Sequence, residues 1–335
     1  MESLSNRKKA NSKDGALAYI FKHKVTLLVV VMIVVVVFFQ LMNPNYLRWQ
    51  NLLIVLTISS FVGLLGLGVG LLLISGQIDL SSGAVTVMAA VLVAVCLRAG
   101  IPWPVATVIT ILFGVIAGGI TAFLVNGLGM MSFIATIGMM SVWGGLALVL
   151  TRGNPITINN PGFWLIADIR IFRAVPLLFI IMLILIVVYG FMLSQTRFGR
   201  KIYIVGGNPN AARLAGINPK KVQSILFINS GAISALCGVL FASNFRRGDP
   251  VAITLGMDAV TAAVLGGVSF SGGAGGTGGI LVGLLLLKFF NNGLMIVGVG
   301  SYWQTIARGL ILIAALMLDF FREQQRAKSI KRVVL

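Results

Sequence analysis

The sequence is short of charged residues, and above all of acidic ones. Only 10% of its 335 residues are charged, with eight Asp and Glu against 26 Lys and Arg, whereas 58% are hydrophobic. A soluble domain normally carries about a quarter charged residues, so this chain has too little polar surface to cover itself in water. Apolar stretches long enough to cross a bilayer, roughly 20 residues, recur along nearly the whole chain. The composition therefore predicts a polytopic membrane protein.

Residues that catalyse reactions or bind metals are also scarce. His23 is the single histidine, so no Ser/His/Asp set can be assembled. Cys96 and Cys237 lie in apolar stretches, where thiols behave as small hydrophobes, and they imply neither a disulfide framework nor a metal site. The phosphate-binding motif G-x-x-x-x-G-K-[ST] is absent, and the G-x-G-x-x-G match at Gly273–Gly278 has no soluble βαβ unit around it. We predict a protein that is not an enzyme and has no ATP site or cofactor of its own.

The net charge of +18 does not indicate a nucleic-acid partner, because the basic residues concentrate at the ends of apolar segments. They lie in the N-terminal tail, in one internal loop and in the C-terminal tail. The positive-inside rule produces this distribution, with the basic groups beside anionic lipid. We therefore expect a lipid bilayer around the chain and no nucleic acid.

We predict an all-α polytopic membrane protein with about ten transmembrane helices, some of them broken or short. The segments are 25–41, 52–75, 81–98, 102–126, 131–151, 174–194, 222–244, 257–270, 275–293 and 303–320. An even number of segments separates each pair of basic clusters, so both termini are expected in the cytoplasm. This division gives a basic N-terminal tail at 1–24, a transmembrane domain at 25–320 with a cytoplasmic loop at 195–221, and a C-terminal tail at 321–335.

Glycine makes two of these segments irregular. Leu52–Ser75 is long and rich in glycine, and Asp258–Gly267 is short before it enters the run Gly272–Gly279. Broken segments lie beside pathways in transporters, but small residues four apart also allow close helix packing, which is the interpretation we prefer. Ser75–Gly83 faintly resembles Gly266–Gly273, and each precedes an apolar segment. This similarity is what a chain built from two structural repeats would show.

Few ionisable groups lie within the spans or at their ends: Asp79, Arg98, Asp258, Lys288, Arg308 and Asp319. Most fall near predicted span ends, where a side chain can reach the interface. Lys288 and Arg308 are either paired structural charges, which we prefer, or pathway residues. These six ionisable groups are too few for the proton relay of a self-sufficient secondary carrier. A transporter of this kind therefore needs a partner as its energy source.

The loop at 195–221 is the most distinctive hydrophilic stretch. Asn208-Pro209 is a turn and helix-start signal. We expect a short helix at Asn210–Ala215 that ends at Gly216 and Pro219. Such a helix between two basic clusters is either a docking element or a solvated connector.

At this loop the chain resembles the ribose/xylose/galactose-type permeases of bacterial ATP-binding-cassette (ABC) importers, which are related to the branched-chain amino-acid permeases. The family's T-R-F-G-R and G-G-N-P-x-A-A-x-x-x-G-I segments stand at Thr196–Arg200 and Gly206–Ile217. Further family motifs stand in order at Gly76–Gly83, Ser132–Gly138, Gly256–Gly273 and Asn292–Leu294. The chain departs from the pattern at Gln77, at Ser132 and at Gly256, which replaces a glutamate.

The resemblance implies a permease subunit in the bacterial inner membrane. Its implied partners are a second permease copy or paralogue, ABC ATPases inside and a soluble sugar-binding protein outside. The connector resembles the helix that contacts the ATPase, through Gly207, Asn208, Pro209, Ala211, Ala212, Gly216 and Ile217. The candidate pathway residues are Asp79, Ser81, Ser82, Phe133, Thr136, Ser269, Ser271 and Asn292.

The expected function is ATP-driven import of a small neutral sugar. No ring of one-sign charge is evident in the spans, and a charged substrate stripped of water would need one. The alternatives are the same importer class acting on a furanosyl signalling molecule, a nucleoside or a branched-chain amino acid, and, less favoured, a secondary carrier or an intramembrane enzyme.

The parity of spans generates a prediction about sidedness. Single cysteines are placed at Asn160 and Asn210 after Cys96 and Cys237 have been replaced, and intact cells are treated with an impermeant thiol reagent. We expect labelling at position 160 and none at 210 until the cells are opened, because 152–173 should lie outside and the loop at 195–221 inside. Labelling of intact cells at 210 but not at 160 would overturn the topology.

Overall fold

The structure is a computed structural model that describes residues 24–171, 174–251 and 254–334. The predicted N-terminal tail lies outside this range apart from Lys24. The helices are α1 Lys24–Met42, α2 Trp49–Ile74, α3 Ser82–Arg98, α4 Trp103–Ala122, α5 Ser132–Thr151, α6 Pro161–Asp168, α7 Leu177–Gln195, α8 Arg197–Gly207, α9 Pro209–Leu214, α10 Pro219–Phe245, α11 Leu255–Leu265, α12 Thr277–Ile296 and α13 Ser301–Val334. A π-helical turn, Phe123–Gly127, extends α4.

Four two-residue strands form two antiparallel pairs. β1 (Ile156–Thr157) pairs with β4 (Arg247–Gly248). β2 (Arg170–Ile171) pairs with β3 (Val175–Pro176). These pairs hold together the loops between helices, and the architecture is otherwise helical.

Asn-Pro dipeptides begin three of the helices. The side-chain oxygen of Asn160 accepts a hydrogen bond from Phe163 N, that of Asn208 from Asn210 N and Ala211 N, and that of Asn218 from Lys221 N, at 3.0–3.2 Å. In each case proline follows at the first helical position, where its missing N–H costs nothing. The local sequence alone therefore defines the starts of α6, α9 and α10.

Each of the ten segments predicted as spans contains a helix. Within the described residues, seven helices are long and apolar enough to cross a membrane: α1, α2, α4 with its π-helical turn, α5, α7, α10 and α12. α3 is apolar but has 17 residues, and α11 has 11. The structure therefore describes a multi-pass helical architecture, and ten spans remain a prediction.

The two glycine-rich segments behave differently. α2 is one continuous helix, and its glycines lie against side chains of neighbouring helices; a methyl group at Gly70 would lie 2.5 Å from Ile280 Cδ1. α11, by contrast, ends at Leu265, well before the predicted limit of 270. Gly267, Gly272, Gly273 and Gly275 then adopt positive φ, which breaks the helix. Packing thus explains the glycines of α2, whereas the backbone does leave the helix after α11.

Two helices form the centre of the molecule. In the most apolar 18-residue stretch of α2, and likewise of α10, 72% of the residues are buried. The corresponding share in α1 is 6%, so α1 lies on the outside. α10 packs against α4 through backbone contact: Gly114 lies against Gly231, and Gly118 against the carbonyl of Phe227. Small residues permit such close approach in membrane helices.

The bundle has two distinguishable ends. At the first, which we call the α6 end, Ile158 N donates to Arg246 O (2.9 Å) and Asn43 Nδ2 to Ile296 O (3.1 Å). At the second, the α8 end, the C-terminus of α2 meets α8 and the loop that follows α11. The basic residues of the loop at 195–221 all lie at the α8 end.

Backbone contact between α4 and α10 generates a stability prediction. Gly118→Val should lower the free energy of unfolding by about 1–3 kcal/mol, because its side chain would overlap the Phe227 carbonyl. Gly119→Val is the matched control, since a methyl group there meets nothing within 4 Å. The measurement is the thermal aggregation midpoint of the purified protein in detergent. Equal midpoints for both variants would contradict close packing at this crossing.

Candidate functional site

A buried carboxylate organises the loop between α2 and α3. Asp79 is 4% exposed. Its Oδ1 accepts from Ser81 N (2.9 Å) and Ser81 Oγ (2.6 Å), and its Oδ2 accepts from Ser230 Oγ (2.7 Å) of α10. Three donors satisfy most of the need of a buried charge for partners. Asp79 and Ser81 therefore tie this loop to α10, and Ser82 begins α3 beside them.

The loop after α2, the end of α8 and the glycine-rich loop after α11 meet at one point. Gly273 N donates to Ile74 O at 2.8 Å, and Gly206 lies against the same carbonyl. Tyr203 OH donates to Gly275 O at 2.8 Å, and burial raises the pKa of this hydroxyl. We call this meeting point the α8 joint. It brings together the two segments that resemble each other, Ser75–Gly83 and Gly266–Gly273.

The loop at 195–221, which we call the connector, carries α9 directly after the α8 joint. Ala212 is buried, whereas Asn208, Pro209 and Ala211 are exposed and Leu214 is 91% exposed. Gly216 has φ +74° and ends the helix in the left-handed conformation that glycine favours. The predicted short helix at Asn210–Ala215 is confirmed one residue earlier, at Pro209–Leu214. Sequence reasoning missed Leu214, which is the most exposed large apolar side chain of the connector.

A second cluster of charges lies among α11, α12 and α13. Lys288 Nζ forms a salt bridge with Asp258 Oδ2 at 2.6 Å, and Arg308 Nη1 lies 3.7 Å from Asp258 Oδ1. Asp258 and Lys288 are each 7% exposed. The carboxylate thus has two cations beside it, so the two basic residues without an obvious explanation in the sequence share one partner.

These charges border a cavity of about 170 Å³, which we call the charged cavity. Three amide side chains, Asn291, Asn292 and Gln304, also line it. Asn292 and Asn51 of α2 exchange two hydrogen bonds of 2.7 and 2.9 Å. The buried Oδ1 of Asn291 has no partner among the described residues.

The predicted pathway residues do not all converge. Ser269 and Ser271 lie in the loop after α11, at the α8 end. Asp79, Ser81 and Ser82 lie deeper in the bundle, because Asp79 bonds to Ser230 within α10 and Ser82 lies beside Gly256 at the start of α11. Phe133 and Thr136 lie on α5, whose first residue, Ser132, accepts from Ile78 N at 3.2 Å, and Phe133 is 47% exposed. Asn292 alone lines the charged cavity. Nothing in the local sequence marked Asn51, Asn291 or Gln304, because isolated amides in apolar helices carry no pattern.

Comparison with known proteins decides the family. A family model described as "Branched-chain amino acid transport system / permease component" matches residues 51–316, which is most of the chain. The chain belongs to this permease family. The match leaves out residues 1–50, which include α1, and residues 317–335, which include the end of α13.

Curated relatives cover the permease over most of its length. It is 35% identical over 282 residues to the ribose import permease protein RbsC of Bacillus subtilis, covering 83% of this chain and 87% of the relative. It is 33% identical to the probable ABC transporter permease protein YphD of Escherichia coli, covering 93% and 94%. The autoinducer 2 import system permease protein LsrC of E. coli is 32% identical, covering 83% and 81%. No solved structure matches the permease.

The α8 joint generates a prediction with a neighbouring control. Gly206→Val should reduce the yield of folded permease severalfold, because the side chain would overlap Ile74 O and displace Gly273 N. A methyl group at Gly207 meets nothing within 4 Å, so Gly207→Val should fold normally. Monodisperse protein recovered by size-exclusion chromatography is the measurement. Normal recovery of the Gly206 variant would show that the joint tolerates separation.

Proposed function

We propose that the protein is the membrane-spanning subunit of an ABC importer that translocates a small neutral sugar. Membership of the permease family and the ribose import relatives support this function. The structural observation that carries it is the exposed α9, which ends in a 91% exposed leucine and stands on the α8 joint. An apolar side chain presented at the tip of a short helix suits insertion into a groove of a partner protein.

Docking of an ATPase on α9 would act directly on the transmembrane helices. α9 follows α8 without a flexible linker, and the end of α8 touches the end of α2 and the loop after α11. A displacement of α9 would therefore reach α2 and α11, because packed elements transmit shifts as rigid bodies. Gly207, Asn208, Pro209, Ala211, Ala212, Gly216 and Ile217 are the residues proposed for this coupling.

The rest of the assembly follows from this docking. The α8 end would face the cytoplasm with both termini, and the α6 end would face a soluble sugar-binding protein outside the inner membrane. Ten spans are consistent with this orientation if α3, α11 and α13 complete the crossing. A second permease copy or paralogue would complete the translocation unit.

The substrate is proposed to be hydroxyl-rich and uncharged, and to be bound weakly by the permease itself. The serines of the candidate pathway offer hydrogen bonds each worth about 1 kcal/mol net, which favours passage over retention. One relative, LsrC, is named as an autoinducer 2 import permease. A furanosyl signalling molecule therefore remains an alternative substrate. The family description likewise keeps a branched-chain amino acid.

Reconstitution tests the proposal. The permease with its ATPase and binding protein in proteoliposomes should import a neutral pentose with ATP, and the isolated permease should bind that sugar no tighter than micromolar. Gly216→Val should abolish most ATPase co-purification and stimulation, since a β-branched residue resists φ +74°. Gly153→Val, with φ +76° at the α6 end, is the matched control. Import without ATPase, or of charged solutes alone, would refute the function, and normal co-purification of the Gly216 variant would refute the docking.

A further inference from the structure

The charged cavity contains more charged groups than one buried ion pair needs for its own neutralisation. Asp258 is already paired with Lys288 at 2.6 Å, yet Arg308 also approaches it at 3.7 Å. Replacing buried ion pairs by apolar residues is often neutral or stabilising, and ionisable groups at membrane depth mark functional sites by default. Asn291 Oδ1, which is buried at the wall of the cavity, adds an acceptor without a partner among the described residues.

A second cavity continues the first toward the α6 end. It has a volume of about 480 Å³, and its polar lining includes Gln50, Thr57, Asp168, Arg170 and Asn244. We call it the α6-end cavity. Ile58 lines both cavities, and the neighbouring residues of α2 line one or the other. The same turn of α2 therefore lines both, with Val55 beside the narrower charged cavity and Ile54 and Thr57 beside the wide polar entrance.

We propose that the α6-end cavity and the charged cavity are successive binding stations for a monosaccharide, with Ile58 as the partition between them. This inference rests on the proposed function and assigns its pathway to residues that differ, except for Asn292, from those predicted from the sequence. The sugar enters beside Gln50 and Thr57, passes Ile58 and contacts the charged cavity before it leaves toward the α8 end.

The donor and acceptor set of the charged cavity fits a polyol. Lys288 donates to Asp258 and keeps two further N–H groups, which can donate to hydroxyl oxygens. Asn291 Oδ1 can accept from a hydroxyl once its buried side chain turns into the cavity, and Arg308 can donate to one. A hydroxyl needs both a donor and an acceptor nearby, and this mixed set supplies them. A volume of about 170 Å³ lies below the roughly 300–1,000 Å³ of pockets for drug-sized ligands, so the charged cavity admits nothing much larger than a monosaccharide.

Deoxy-sugar uptake tests the contact at Asn291. The reconstituted complex is supplied with saturating, sugar-loaded binding protein, and maximal uptake rates are measured for the parent sugar and its monodeoxy analogues. The wild type should transport at least one analogue about fivefold more slowly, the equivalent of one hydrogen bond. Asn291→Leu should bring that ratio close to one. Binding-protein selectivity cancels, because the same protein serves every permease variant.

Asn229→Leu is the matched control for loss of an amide. Asn229, on α10, also has a buried amide atom without a partner among the described residues, but it borders neither cavity. It should keep the wild-type ratio even if overall uptake falls. A structural role of Asn291 would slow every sugar by the same factor. An unchanged ratio in Asn291→Leu, or a wild type that transports all analogues equally, would overturn the contact.

Thiol labelling at the partition gives a readout that does not depend on transport. In a background with Cys96→Ala and Cys237→Ala, Ile58→Cys should react with a small hydrophilic thiol reagent added from outside. Sugar-loaded binding protein should slow that reaction severalfold. Val108→Cys should not react, because Val108 is 57% exposed on α4, lies outside both cavities and is expected to face lipid in this apolar helix. Failure of Ile58→Cys to react, with or without ATP, would overturn the route.

Blocking the partition separates failure of the route from failure of the function. Ile58→Trp should reduce uptake at least tenfold while binding-protein-stimulated ATP hydrolysis continues, and Val108→Trp should leave both unchanged. If the wild-type complex imports sugar and Ile58→Trp does so equally well, the route is wrong and the proposed function stands. If the wild-type complex imports no sugar, the proposed function itself fails.

Discussion

Contact between backbones, made possible by glycine, is the constraint on which this structure depends. In lipid, burial of apolar surface does not draw helices together, so association relies on close van der Waals packing. Gly114 and Gly231 bring α4 onto α10, and Gly206 brings α8 onto the carbonyl of Ile74. The order of the helices around α10 and the position of the connector both follow from these contacts.

The same packing that joins the helices also links the proposed docking helix to the proposed sugar route. The α8 joint lies at one end of α2, and the two cavities lie along the other half of that helix. Because α2 is continuous from Trp49 to Ile74, a force at its C-terminus acts on a rigid rod. Coupling and transport would in this way share one structural element rather than a chain of flexible loops.

The two buried aspartates have different kinds of partner. Asp79 is enclosed by three donors from its own loop and from α10, which suits a fixed structural role. Asp258, which is 7% exposed, has two cations beside it at the edge of a cavity. The two aspartates look alike in the sequence, each near the end of an apolar segment. Their surroundings differ because one faces a neighbouring loop and the other faces open space.

The sequence by itself determined the membrane class, the approximate positions of the apolar helices, the Asn-Pro starts and the permease family. These features are local, since hydropathy, caps and motifs act over a few residues. Only the tertiary structure decided which polar groups meet: Asn51 and Asn292 pair across 241 positions, and Asp258 meets Lys288 across 30. Helices such as α2 are apolar on every side, so no stripe in the sequence distinguishes the face toward lipid from the face toward protein. Packing decides which face is buried, because a glycine on one helix leaves room for the side chain or backbone of a neighbouring helix.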